Sequence, residues 1–127
     1  METLHVMSGL WRHHSGSELD LKVSGSQLSG RYRTAGGRPG LEKWFPLTGT
    51  CNGPLLGFIV SWDDYQSLTS WCGRVVREKD GRLAIRTVWL LGRLYADKAL
   101  SEQTEPWETF HINTDTYYLV EKHSEIR

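Results

Sequence analysis

The chain has 127 residues, enough for one domain that buries a core without disulfide or metal staples. Fifteen Lys and Arg balance fifteen Asp and Glu, so no net field draws the protein to nucleic acid or to an acidic membrane. Six Trp, five Tyr and three Phe beside 13 Gly and only four Pro describe an aromatic, turn-rich, all-β chain.

Residues 1–8 read as a flexible start with an acidic residue and no apolar run, so no signal peptide is visible. That leaves localisation open between the cytoplasm and secretion after removal of a leader. The first strand is expected over 9–17 (GLWRHHSGS), where Trp11, His13, Ser15 and Ser17 share a parity and therefore a face. Residues 18–23 alternate cleanly, with Leu19, Leu21 and Val23 on one side, and 24–26 (SGS) supply a turn into a strand over 27–35. There Leu28, Gly30, Tyr32 and Thr34 lie together, so the two strands make a hairpin.

The stretch 36–40 (GGRPG) is the strongest loop signal in the chain. A strand over 43–51, a turn at 52–54 (NGP) and a strand over 55–62 follow, the last with Phe58, Val60 and Trp62 on one face. Residues 63–66 are a short connection whose Asp63 and Asp64 are read as a solvated turn. Two runs then carry the same message: Ser67, Thr69 and Trp71 recur at every second position, as do Ile85, Thr87 and Trp89, with a charged hairpin turn at 77–82 between them. As antiparallel neighbours they would floor one face with indoles and stud it with hydroxyls. A core built only for stability favours Leu, Ile and Val there, whereas aromatic walls with a few fixed donors describe a small-molecule pocket.

Residues 92–106 read as a long loop with room for a helical turn at 96–100, and a final strand is expected over 107–120 before a charged tail at 121–127. Eight short strands joined mostly by tight turns predict an eight-stranded antiparallel up-and-down β-barrel, which removes its own sheet edges and leaves an interior for one small ligand. Cys51 and Cys72 lack metal-ligand spacing and are read as inert strand residues, with a bridge between them left open. Alternation sends the adjacent His13 and His14 to opposite faces, which argues against a shared metal. No apolar run approaches membrane-spanning length.

The motifs GLWRHHSGS (9–17), SGRYRTA (29–35), PLTG (46–49), GFIVSW (57–62), SLTSWCG (67–73), IRTVWLL (85–91) and ETF (108–110) resemble, in order and spacing, the successive strand motifs of the avidin and streptavidin family. The resemblance covers nearly the whole chain, with a barrel domain over 9–120. It implies non-enzymatic binding of biotin at one open end, in the manner of vitamin sequestration, with no cofactor, and assembly as a homo-tetramer or homo-dimer. Carried over by position, the resemblance puts the Trp cage at Trp62, Trp71 and Trp89, and hydroxyl donors to the ureido oxygen at Ser17 and Tyr32. It puts an acceptor for a ureido N–H at Thr34, a group near the ring sulfur at Thr69, and a carboxylate donor at Ser67. Backbone amides from Ala35 and Gly36 to Arg38 complete the carboxylate site.

Three positions depart from the family pattern. His13 stands where Asn is usual, Glu108 where Asp or Asn is usual, and Leu100 or a neighbour where many members carry a Trp contributed by an adjacent subunit. Ser15 also replaces a common apolar contact. His13 and Glu108 are expected to weaken binding, and a carrier of a different small ligand in the same barrel is the alternative reading. An interaction module with a relic pocket is a third. An enzyme is disfavoured, since no nucleophile turn, metal spacing or phosphate-cradling loop is present. With Glu108 inward, Trp107 points out, and Val88 and Leu90 point away from the cavity as an apolar exterior of the kind that marks a subunit interface.

Overall fold

The computed structural model describes residues 7–36, 40–62, 66–94, 102–103 and 105–123. Eight strands, β1 (Gly9–His13), β2 (Glu18–Ser24), β3 (Gln27–Arg33), β4 (Phe45–Asn52), β5 (Leu55–Ser61), β6 (Ser67–Arg77), β7 (Leu83–Arg93) and β8 (Phe110–Lys122), form one closed barrel in chain order. Each strand is antiparallel to the next, and β8 pairs with β1 to close the ring. The expected all-β up-and-down barrel is the fold.

The period-2 pattern explains which side chains fill it. Leu19 and Leu21 on β2, Phe58 and Val60 on β5, Thr69 and Trp71 on β6, and Ile85 and Thr87 on β7 are buried, while their immediate neighbours on β5 and β6 are more exposed. Up-and-down connectivity sorts the connections by end. Tight turns at 25–26, 53–54 and 78–82 lie at one end, and the β1–β2, β3–β4, β5–β6 and β7–β8 connections lie at the other. The tight-turn end is plugged: Met7, fully buried just before β1, accepts a 3.0 Å hydrogen bond from the indole N–H of the equally buried Trp11. The polar residues singled out in the sequence gather towards the opposite end.

Several boundaries differ from the sequence reading. β1 stops at His13, because the His13 carbonyl accepts from Gly16 N–H and the His13 N–H donates to the Ser17 carbonyl, which curls 13–17 into a turn with Gly16 at φ 105°. Residues 7–8, expected in the flexible start, are tied into the barrel: besides the Met7 contact, Ser8 Oγ accepts from the N–H of Val23. The last strand begins at Phe110 and not at 107, since Pro106–Thr109 form a 3-10 turn with Pro at its start. Cys51 is buried, Cys72 is exposed, and both are free thiols, so the bridge left open above does not form. The expected helical turn at 96–100, Leu100, Asp63, Asp64 and the tail at 124–127 lie outside the described residues.

Gly30 on β3 shows how close the strands run. A Cβ there would lie 1.9 Å from the Asp20 carbonyl oxygen on β2, and the residue sits at φ +146°. Gly25, at φ +63° in the β2–β3 turn, would have nothing within 4 Å of an added methyl. Gly30→Ala is therefore expected to cost more than about 3 kcal/mol, strain plus a forced strand separation, against about 1 kcal/mol for Gly25→Ala. Paired urea denaturation curves measure the two, and equal costs would contradict the tight β2–β3 contact.

Candidate ligand-binding site

The turn after β1 places three polar side chains together. Nδ1 of His13 accepts from the Ser15 backbone N–H at 3.2 Å and lies 2.8 Å from the Ser15 hydroxyl. That leaves the ring proton on Nε2, which faces Oδ1 of Asp115 on β8 at 3.3 Å. Both nitrogens of His13 are therefore engaged. Ser17 Oγ accepts from the Ala35 N–H at 2.8 Å, which ties the β1–β2 turn to the segment after β3 and leaves the Ser17 proton to be donated, in the empty site to the Tyr32 phenol oxygen. Thr34 Oγ1 likewise accepts from Gly36 N–H at 3.1 Å.

Aromatic rings pack beside this arc. The Tyr32 ring lies 4.8 Å from Trp71 and 5.9 Å, edge-on, from Trp62, and Trp62 also meets Phe45 edge-on at 4.9 Å. Phe58 stacks on Trp71 at 4.7 Å. Trp62 Nε1 donates to Thr69 Oγ1 at 2.8 Å, so Thr69 fixes the indole of Trp62 and keeps its own proton to give. Trp89 pairs with Trp71 across β6 and β7, packs on the same core, and has a buried Nε1 with no partner among the described residues. An unpaired buried donor carries a free-energy cost that a hydrogen-bond acceptor in the site would relieve.

Beneath the rings lies a polar cluster. Tyr32 Oη is 2.7 Å from Tyr117 Oη, Trp71 Nε1 donates to Tyr117 Oη at 3.1 Å, and Tyr117 Oη is 3.4 Å from Oδ2 of Asp115. Burial, assisted by the Asp115 charge and opposed by hydrogen bonds from Tyr117 and Ser17, pushes the Tyr32 phenol up to about 12. Burial also drives Tyr117 well above its ordinary value, with Tyr32 and Asp115 adding to the effect. Both phenols are neutral at physiological pH and keep their protons for hydrogen bonding.

His13, Ser15, Ser17, Tyr32, Ala35, Trp62, Thr69 and Trp71 thus come together through direct contacts, and Trp89 joins them through the core. Ser67, half-buried at the start of β6, shares the face of Thr69 and Trp71. Thr34 and Gly36 adjoin Ala35, Gly36 on the exposed side, and Arg38 lies outside the described residues. Glu108 is the correction: it is exposed in the 3-10 turn, and the carboxylate that meets His13 is Asp115. A strand run from 107 gives even-numbered residues the inward face, whereas β8 turns Asp115 and Tyr117 towards the site. Pro106, a helix-starting signal, is the clue to the break. His14 is also corrected. Since β1 ends at His13, the two imidazoles are not on opposite faces of a strand and their centroids are 4.1 Å apart.

On the outer face of the network, Glu18 is buried between Arg12, which approaches to 2.6 Å, and Arg33, which approaches to the same distance. Burial pushes its pKa up, but the hydrogen bonds from Arg33 and Arg12 outweigh that and hold it below the ordinary value of 4.5. These pairs brace the β1, β2 and β3 ends from which Ser17 and Thr34 emerge.

Comparison with known proteins places this geometry. The Avidin family sequence profile matches residues 1–120. The chain belongs to the Avidin family. Avidin of Gallus gallus is 31% identical over 94 residues, covering 67% of this chain and 62% of avidin. Avidin-related protein 4/5 of Gallus gallus is 29% identical, covering 67% of this chain, and the match spans 61% of its length. The rhizavidin–biotin complex superposes with a TM-score of 0.75 at 26% identity, over 92% of this chain and 95% of that one. The short afifavidin–biotin complex does so with a TM-score of 0.75 at 27% identity, over 94% of each chain.

Within this family member, His13 carries a pH prediction. Burial holds it below its ordinary value of 6.5, with His14 adding to the effect and Asp115 opposing it. The folded protein thus binds this proton less readily than the unfolded chain, so stability falls as pH drops below 6.5 towards the depressed folded value. Glu18 adds a separate loss below 4.5, as it gives up charge through its own depressed value. His13→Asn should flatten the decline of the thermal midpoint between about pH 6.5 and 5 while leaving the decline below about 4.5. Unchanged melting profiles across the upper window would contradict the assignment.

Proposed function

We propose that the protein binds biotin without covalent chemistry, between the Trp62, Trp71 and Trp89 indoles and the polar cluster beneath them. The observation that carries this reading is the convergence of Ser17 and Tyr32, each a neutral hydroxyl with a proton to give, with the acceptor Asp115 under an aromatic roof. A ureido group needs that complement: its oxygen gains negative character by resonance and takes several donors, and its N–H groups need acceptors. Fixed donors on strands lose little entropy on binding, and indole faces exclude competing water. Biotin complexes of rhizavidin and short afifavidin support the ligand class.

In this proposal Asp115 takes the acceptor role that the sequence pattern points to at Glu108. Thr34 accepts the other N–H, Thr69 lies near the ring sulfur, and Ser67 with the Ala35 and Gly36 amides receives the carboxylate. His13 orients Asp115 through Nε2–H and must give up that contact to donate to the ureido oxygen, which lowers affinity. Calorimetric titration with biotin should show saturable heat and altered Trp fluorescence, and Ser17→Ala or Tyr32→Phe should each cost about 1–3 kcal/mol of binding. No heat and no fluorescence change would end this reading. Stoichiometric binding of another small cyclic amide, uncontested by biotin, would favour the carrier alternative.

Self-association as a homo-dimer or homo-tetramer is part of the same proposal. Ile59, Val88 and Leu90 are exposed around an apolar groove on the outer face of β5–β7, and Trp107 is 67% exposed. Val88→Glu is expected to lower the sedimentation-derived mass towards that of one chain, and an unchanged mass would remove this face as the interface.

A further inference from the structure

The Tyr117 hydroxyl sits between two groups that a ligand would use. It receives the Trp71 indole N–H at 3.1 Å, lies 2.7 Å from Tyr32 Oη, and lies 3.4 Å from Oδ2 of Asp115. A neutral phenol has one proton to give, so Tyr117 serves Asp115 or Tyr32 but not both. In the first arrangement Tyr117 donates to Asp115, and Tyr32 donates to Tyr117. The Tyr32 proton is then consumed inside the protein. In the second, Tyr117 donates to Tyr32, so the Tyr32 O–H is free to point into the site and Oδ2 of Asp115 loses a competing donor.

The other neighbours do not relieve this exclusivity. Trp71 only donates, Ser17 donates to the Tyr32 oxygen, His13 engages the other carboxylate oxygen, and Thr87 Oγ1 donates to the backbone carbonyl of Asp115 and not to its side chain. With an empty site the first arrangement is favoured, because it makes both the phenol–phenol and the phenol–carboxylate hydrogen bonds, whereas the second makes only the former and leaves the Tyr32 proton unpaired.

We infer that Tyr117 is a positioning residue that makes the site read a ligand's carbonyl and adjacent N–H as one unit. A ligand that takes a proton from Tyr32 and gives one to Asp115 requires a single rotation of the Tyr117 hydroxyl, and that rotation satisfies both demands together. A ligand offering only one of the two groups bears the same rotation for half the return. The selected class is the cis amide or cyclic urea edge, over esters, carbonates and simple alcohols. This inference rests on the biotin-binding reading for its ligand, but the proton arrangement it describes belongs to the empty protein as well.

The test is a double-mutant cycle in biotin affinity, with Tyr32→Phe and Asp115→Asn each made both with Tyr117 and in a Tyr117→Phe background. Tyr32→Phe removes one contact but leaves the rotation to be made, because Tyr117 still donates to Asp115 in the empty site, whereas Asp115→Asn takes away the carboxylate that holds the Tyr117 proton and with it the cost. The Asp115→Asn loss should therefore be at least about threefold smaller with Tyr117 than in the Tyr117→Phe background, while the Tyr32→Phe loss should be the same in both. Equal Asp115→Asn losses in the two backgrounds would overturn the coupling while leaving biotin binding intact. Neutron diffraction from deuterium-exchanged, unsubstituted protein guards against a Tyr117→Phe chain that does not fold. The Tyr117 deuteron should point to Asp115 in ligand-free crystals and to Tyr32 after a biotin soak. A Tyr117 deuteron aimed at Tyr32 in the empty site would overturn the inference, and the same orientation in both crystals would do so too. A wild type that shows no biotin heat would instead refute the ligand reading, with the ligand-free deuteron still deciding the arrangement.

Discussion

The seam between β1 and β8 is the contact on which the site depends. It pairs His13 with Tyr117, residues from opposite ends of the chain, and so brings the imidazole of one strand against the carboxylate and phenol of the other. Ser17 follows β1 by a tight turn, and Tyr32 reaches the same cluster from β3 through Tyr117. Open that pairing and the polar cluster loses half its members, although each hairpin would keep its own ladder. Closure also removes the two sheet edges that an open eight-stranded sheet would expose.

Polar groups survive in this interior because they satisfy one another. Two neutral phenols, an indole N–H, an imidazole and a carboxylate form a connected set, and beside it the Trp89 N–H has no partner among the described residues. In a medium of low dielectric such a set is stiff when complete and costly when broken. That stiffness holds donors in place before anything binds, which is the condition under which hydrogen bonds add to affinity without a large entropic loss. Glu18, clasped by Arg12 and Arg33, applies the same logic outside the barrel: a buried carboxylate is tolerable only with both of its oxygens paired.

Most of the barrel is legible in the sequence, because a strand with one buried face writes a period of two that a one-residue slip would destroy. Trp62, Thr69 and Trp71 are readable on that ground alone, and the tight turns are marked by Gly, Asn and charged pairs. The last strand is harder to read because its approach lacks that period. Pro106 starts a 3-10 turn that resets the parity, so counting from Trp107 selects Glu108 and passes over Asp115 and Tyr117. The turn after His13 is hidden for a similar reason, since Ser15 and Ser17 keep the strand's alternation while the backbone has already curled. What sequence pattern cannot carry is which donor faces which acceptor across strands far apart in the chain, and the Tyr32–Tyr117–Asp115 cluster is made of such contacts.

The order of strands around the ring has a kinetic corollary. Seven of the eight pairings join neighbours in the chain, and only the β1–β8 seam joins distant segments. Hairpins of local contacts can zip early, whereas the ring must await a long-range closure whose entropic penalty grows only slowly with loop length. An occupant gripped at once by Ser17, just beyond β1, and by Asp115 on β8 would therefore act as a clasp on the long-range join, slowing its release and with it the unravelling of the whole cylinder.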